Sequence, residues 1–204
     1  MRLWLTLCLV ISFFVPLTQP AHAWKITKEL QEEVWEKELE VELHPDNPDA
    51  LFDLAITYAY TNKIQEGYDI LKKVSEINPK YALIVISRYS KIVAKDPNDW
   101  RAWFRLAFGY FFAEPKHRDK AIESFKEVLR INPKNVFAYG FIGTIYGEMK
   151  KSELGIEWIK KGLAIDSNVA VLHFVLGQGY YMIGDKGRGT AESVEALRLK
   201  VLGY

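Results

Sequence analysis

One small pattern recurs four times along the chain: Leu54-Ala55-x-x-Tyr58, Leu106-Ala107-x-x-Tyr110, Ile142-Gly143-x-x-Tyr146 and Leu176-Gly177-x-x-Tyr180. The steps from Tyr110 to Tyr146 and from Tyr146 to Tyr180 are 36 and 34 residues. A large residue, a small one beside it and an aromatic one turn later share a helix face. A unit returning at that period is a helix hairpin. It leaves an apolar face bare, and the next hairpin must cover it. The chain is therefore predicted to be all-α and stacked in one direction.

Punctuation supports the hairpins. Ile77-Asn78-Pro79, Ala94-Lys95-Asp96-Pro97, Ile131-Asn132-Pro133 and Ile165-Asp166-Ser167 each close a helix, because a residue before proline is pushed out of helical geometry. Asn47, Asn98, Asn135 and Asn168 stand where the next helix should begin, and asparagine is a strong N-cap.

These residues resemble the tetratricopeptide repeat pattern: a large residue, Leu-Gly, Tyr, then Ala and Phe on a second helix, then a closing Pro. The best match is Trp103, Leu106, Ala107, Tyr110, Ala121, Phe125 and Pro133. Leu51 to Pro79, Tyr139 to Ser167 and His173 to Ser193 follow the pattern less fully. The resemblance implies an α-solenoid of about four helix-turn-helix repeats, with one extra helix between the first and second repeats and capping helices at both ends. Residues 24–47 form the first cap, 48–79 a repeat, 80–97 the extra helix and 98–204 three repeats with the last cap. The run Ala82 to Ile86 in the extra helix predicts burial on more than one side. In the first cap Ile26, Leu30, Val34 and Leu39 are expected inward, with Glu32, Glu33, Glu36 and Glu38 outward. In the last helix Ala191, Val194, Leu197 and Val201 are expected inward.

The start of the chain differs. Arg2, an apolar run from Leu3 to Pro16, and Ala21-His22-Ala23 have the layout of a secretory signal peptide at residues 1–23. Export to the periplasm, cell surface or extracellular space is the expectation. Cys8, the only cysteine, lies in that run, so no disulfide is expected to staple the exported chain.

The 27 basic and 26 acidic side chains nearly cancel, which argues against nucleic acid as a partner. Lys116, Arg118 and Lys120 form a local basic patch but no reader motif. His44, His117 and His173 are isolated, so no metal site is expected. No nucleophile or acid–base pair stands in a motif. Gly184 to Gly189 reads as a turn rather than a phosphate loop. No enzyme, no cofactor and no specific small molecule are expected.

What remains is binding. The resemblance implies that the first helix of each repeat lines a concave groove. In the second repeat Arg101, Phe104, Phe108, Phe111 and Phe112 make one stripe beside the packing stripe. Matching positions include Phe52 in the first repeat and Phe174, Gln178 and Tyr181 in the fourth. Either the extra helix or a partner must cover this second apolar stripe. The surface suits an apolar or extended peptide; a carboxylate clamp would need Lys and Asn partners that the stripe lacks. The expected function is an exported adaptor holding protein or peptide segments. The alternative is a structural or self-associating subunit of a cell-envelope complex. A glycan binder is a third reading.

Overall fold

The computed structural model describes residues 26–202, and the signal-peptide stretch 1–23 lies outside them. Ten α-helices and no strand occur among the described residues: α1 (Lys28–Leu43), α2 (Pro48–Ala59), α3 (Ile64–Ile77), α4 (Tyr81–Lys95), α5 (Trp100–Ala113), α6 (Arg118–Ile131), α7 (Val136–Glu148), α8 (Ser152–Ile165), α9 (Ala170–Met182) and α10 (Lys186–Val201). The expected all-α solenoid is what the chain forms.

The helix starts follow local chemistry. Asn47 Oδ1 accepts from Asp49 N at 2.9 Å, and Pro48 opens the first turn. Asn135 caps α7 by accepting from Ala138 N at 3.1 Å. Two expected caps shift by one residue. Asn98 and Asn168 donate their own N–H groups to Asp96 and Asp166 in the preceding turns. Asp99 therefore caps α5, and Val169 precedes α9 without a side-chain cap.

Pairs α2–α3, α5–α6, α7–α8 and α9–α10 are hairpins packed along their length. The small slots of the repeat explain how close the two helices come. A Cβ on Gly155 would lie 2.6 Å from the Gly143 carbonyl oxygen, and one on Gly67 would lie 2.7 Å from the Ala55 oxygen. Only glycine lets the backbones meet there.

The same close approach corrects the reading of α10. At Gly177 a Cβ would meet Ser193 Oγ at 2.9 Å and the Gly189 oxygen at 3.0 Å. That contact turns the Gly189, Ser193, Ala196 and Leu199 face toward α9. Ala191, Val194, Leu197 and Val201, expected inward, point to solvent. In α1, Val34 is buried as expected, but Leu39 is exposed. Glu33 and Glu38, expected outward, turn in to meet Tyr60, Arg101, Tyr58 and Lys63.

The extra helix α4 buries one face, Tyr81, Val85, Tyr89 and Val93, while Leu83 and Ile84 are exposed. Burial on several sides does not occur, because α4 leans mainly on α5. Its Val85 fits the space at Gly109, where a Cβ would come within 2.8 Å of Val85 Cγ1. With α4 in that position, α5 makes only a narrow contact with α2. The later joints are regular: α7 packs on α6, and α9 on α8.

Candidate binding cleft

The irregular joint is held by charge and by rings. Arg105 of α5, buried, donates to Asp53 Oδ1 of α2 at 2.9 Å, and Tyr89 of α4 donates to the same oxygen at 2.9 Å. Lys37 of α1 stands 3.7 Å from the other Asp53 oxygen. Arg101 pairs with Glu33 at 2.8 Å, and Tyr60 donates to that same carboxylate. Arg88 of α4 reaches Asp49 at 2.8 Å, beside the Tyr81 hydroxyl. The Arg88 hydrogen bond, assisted by Tyr81, holds the Asp49 carboxyl below its usual range against the opposing effect of burial. Four helices from different parts of the chain are thus tied by shared carboxylates, and none of the buried side-chain polar atoms described lacks a partner.

At the centre stands Phe104, fully buried. Its ring meets five others, with centroids 5.2 Å away for Tyr60 and for Phe125, 5.5 Å for Phe108, 5.8 Å for Phe141 and 6.4 Å for Trp100. The second stripe of α5 is therefore covered by α2, α6 and α7. Neither the extra helix nor an outside partner is needed at Phe104. This corrects the expectation that Phe104 anchors a ligand. Phe52 is likewise core, packed on Tyr81 and Tyr89. Arg101 is engaged by Glu33 and lies over the Trp100 ring at 4.6 Å.

The far half of the stripe is different. α3 and α5 stand apart above α2, leaving an open cleft of about 450 Å³. Ala55, Ala59 and Gly67 lie along it; Ile64, Tyr68 and Leu71 form one wall, and Phe108, Phe111 and Phe112 the other. Phe108 is buried among other rings and shows the cleft only part of its surface. Phe112, stacked on Phe108 at 5.8 Å, is 40% exposed. The turn after α5, lengthened by Glu114 and Pro115, closes one end. There Arg118 lies over the Phe111 ring at 4.5 Å and pairs with Glu148 at 2.9 Å. The expected basic patch is thus spent on neighbours: Lys116 pairs with Glu114 at 2.8 Å, and Lys120 sits over Tyr110.

Thr144 and Glu148 of α7 also line a second cleft, about 310 Å³, between α7, α8 and α9. Phe174, Gln178 and Met182 border it; all three are exposed, and Ile156 and Ile159 lie deeper. The two clefts run on either side of α7. Tyr181 falls outside both. It packs on Gly189, where a Cβ would come within 2.9 Å of its ring, and its hydroxyl meets Thr190 at 3.0 Å.

Of the expected site residues, the structure brings Phe108, Phe111 and Phe112 together in the first cleft, and Phe174 and Gln178 in the second. Phe52, Arg101, Phe104 and Tyr181 stand elsewhere. The α3 wall was not expected, because the groove of a repeat array is read from the first helix of each repeat. Tyr68 carried the available signal: a large aromatic beside the Gly67 slot, outside the Gly67-Leu71-Val74 packing face, and exposed.

Residues 101–135 and 138–169 match the tetratricopeptide repeat family model. These segments correspond to α5–α6 and α7–α8. The crystal structure of TTC0263, a thermophilic tetratricopeptide repeat protein in Thermus thermophilus, is similar in fold, with a TM-score of 0.56. It is 19% identical, and the alignment covers 84% of this chain and 87% of that one. A crystal structure of MamA aligns at a TM-score of 0.49 and 18% identity, over 86% of this chain and 92% of that one. A peroxisomal targeting signal receptor from Candida albicans (strain SC5314 / ATCC MYA-2876) is 26% identical in an alignment 171 residues long that covers 71% of this chain. The match spans 28% of that receptor's length. Tetratricopeptide repeats are matched at α5–α6 and α7–α8, and among the described residues the helix hairpins stack as a solenoid.

Proposed function

We propose that this protein is an exported, non-catalytic scaffold that holds an extended apolar segment of another protein along the two clefts flanking α7. The observation that supports this most directly is the first cleft. It is open, about 450 Å³ in volume, and walled by Tyr68, Phe111 and Phe112 with few polar groups. Exposed aromatic anchors above a rigid apolar wall are the usual source of binding energy at protein interfaces. A groove between helices accepts a chain whose alternate side chains enter pockets. Similarity to a targeting signal receptor fits a role in holding a segment of another protein. Among the described residues no cluster of three or more His, Cys, Asp or Glu side chains could hold a metal, and no helix is long and apolar enough to cross a membrane.

Export rests on the layout of residues 1–23. Cleavage after Ala23 would leave Trp24 first, and an intact mass of the exported protein tests this. An unshortened protein retained in the cytoplasm would overturn the export.

The binding reading is tested on a peptide array probed with the wild-type chain and with Phe112→Asp. Placing a charge on that wall should lower binding of apolar peptides by at least about tenfold. Unchanged binding by a variant with native circular dichroism would remove the cleft from the mechanism.

A further inference from the structure

The two ends of the solenoid carry complementary faces. On α1, Trp35, Leu39 and Leu43 recur at i, i+4 and i+8 and are all exposed, Trp35 at 63%. They form one apolar stripe. Seven glutamates stand against two lysines on this helix. Glu32, Glu36 and Glu42 flank the stripe and are exposed, while Glu33 and Glu38 are already engaged inside.

On α10, Val194, Leu197 and Val201 recur at i, i+3 and i+7, with Leu197 at 64% exposure. This helix has four basic residues against two acidic ones. Helical spacing places Lys186 in line with the apolar stripe, Lys200 on one edge and Arg198, already paired with Glu195 at 2.6 Å, on the other. These apolar residues are the ones whose expected orientation is reversed in the fold. Close packing on Gly177 turns the small side of α10 inward and leaves its branched side bare.

We propose that α10 of one copy packs against α1 of the next, so that the protein associates head to tail. Each stripe would cover the other as successive helices already cover one another within the chain. The acidic edges of α1 meet the basic edges of α10, which favours this pairing over α1 on α1, where the glutamates repel. The contact joins two different surfaces, so each copy keeps an open end and growth continues unless the rotation closes a ring. The clefts beside α7 lie away from both stripes, so the proposal does not depend on peptide capture.

Sedimentation velocity on the full chain tests it. Association should rise with protein concentration and weaken with added NaCl. Trp35→Gln and Leu197→Gln should each reduce self-association by about tenfold or more, since each removes a large exposed anchor without adding a charge that the facing helix could pair. An equimolar mixture of the two variants should form a dimer and stop there, because one intact α10 meets one intact α1. Should either variant lose its helical circular dichroism, Leu43→Gln and Val201→Gln replace the pair. A wild-type chain that stays monomeric at all concentrations overturns the proposal. So does undiminished association of either variant alone, which would place the contact on one end, the N-terminal stretch or another surface. Two folded variants that fail to pair when mixed overturn it as well.

Discussion

The joint between the first repeat and the second, and the joint between the third and the fourth, solve the same problem in opposite ways. At the later joint α9 settles directly on α8. Gly162 and Gly179 admit Leu172 and Ile156, and a Cβ at either glycine would lie within 2.7 or 2.9 Å of those side chains. Both partners are buried, and the contact is apolar. At the earlier joint α4 has taken the long side of α5. The first repeat is then attached through Asp53–Arg105, Glu33–Arg101 and Asp49–Arg88, together with the Tyr60–Phe104 ring contact. Shape complementarity needs full contact along two helices. Ion pairs and rings need only a few fixed points, so this joint leaves room for a cleft. The cleft is thus a consequence of how the interruption is bridged.

The largest effect is expected at Phe104, whose ring meets Tyr60 across the polar joint and Phe141 of α7 across the next one. Phe104→Ala should destabilise the protein by about 3–5 kcal/mol, the usual cost of deleting a buried aromatic side chain. Chemical denaturation measures it. A loss below about 1 kcal/mol would mean the rings close over the gap and Phe104 is not the shared point.

Asp53→Ala is next. Arg105 would keep only a weak contact to the Arg101 carbonyl oxygen at 3.4 Å. A buried guanidinium without its carboxylate is costly, and the partial exposure of Asp53 reduces the penalty to about 2–3 kcal/mol. Hydrogen exchange should show protection lost first in α1, α2 and α4, with α8 and α9 little changed. Uniform loss across all helices would show that the two joints do not differ in the way argued.

The contrast also marks what was legible in the sequence. Helix positions followed from Pro, Asn and the Leu-small-x-x-Tyr face, because these act within a few residues. Gly143, the small residue of the repeated face, likewise announced a close hairpin. Legibility failed where the outcome depended on which neighbour arrives. Phe104 and Phe112 lie on one helical stripe, yet Phe125 and Phe141 cover the first and leave the second open. Val194 and Leu197 give α10 an apolar face, but the Gly177 contact prefers Gly189 and Ser193. Periodicity identifies the apolar face; the closest backbone approach decides whether it is used. The Asp53–Arg105 pair, 52 residues apart, left no local trace.

The two joints also differ in how they respond to pH, by a smaller amount. Burial, with the Glu33 carboxylate adding to it, pushes the Tyr60 hydroxyl from its ordinary 10.0 up to about 12, against the opposing pull of Arg105. The folded chain then keeps a proton that the unfolded chain releases. This contribution is complete below pH 10.0 and disappears as pH rises through about 12. Tyr58, Tyr81 and Tyr89 are shifted upward as well, chiefly by burial and by the carboxylates they face. All four lie on α2, at its C-cap or on α4, so alkaline sensitivity should concentrate at the polar joint. Tyr60→Phe removes one of the four and should make the alkaline fall in the urea midpoint shallower, while lowering stability at neutral pH through the lost hydrogen bonds to Glu33 and Thr57. An unaltered alkaline slope would mean that the Tyr60 proton is not what the joint depends on in base, and that the ion pairs alone distinguish it from the apolar joint at α8 and α9.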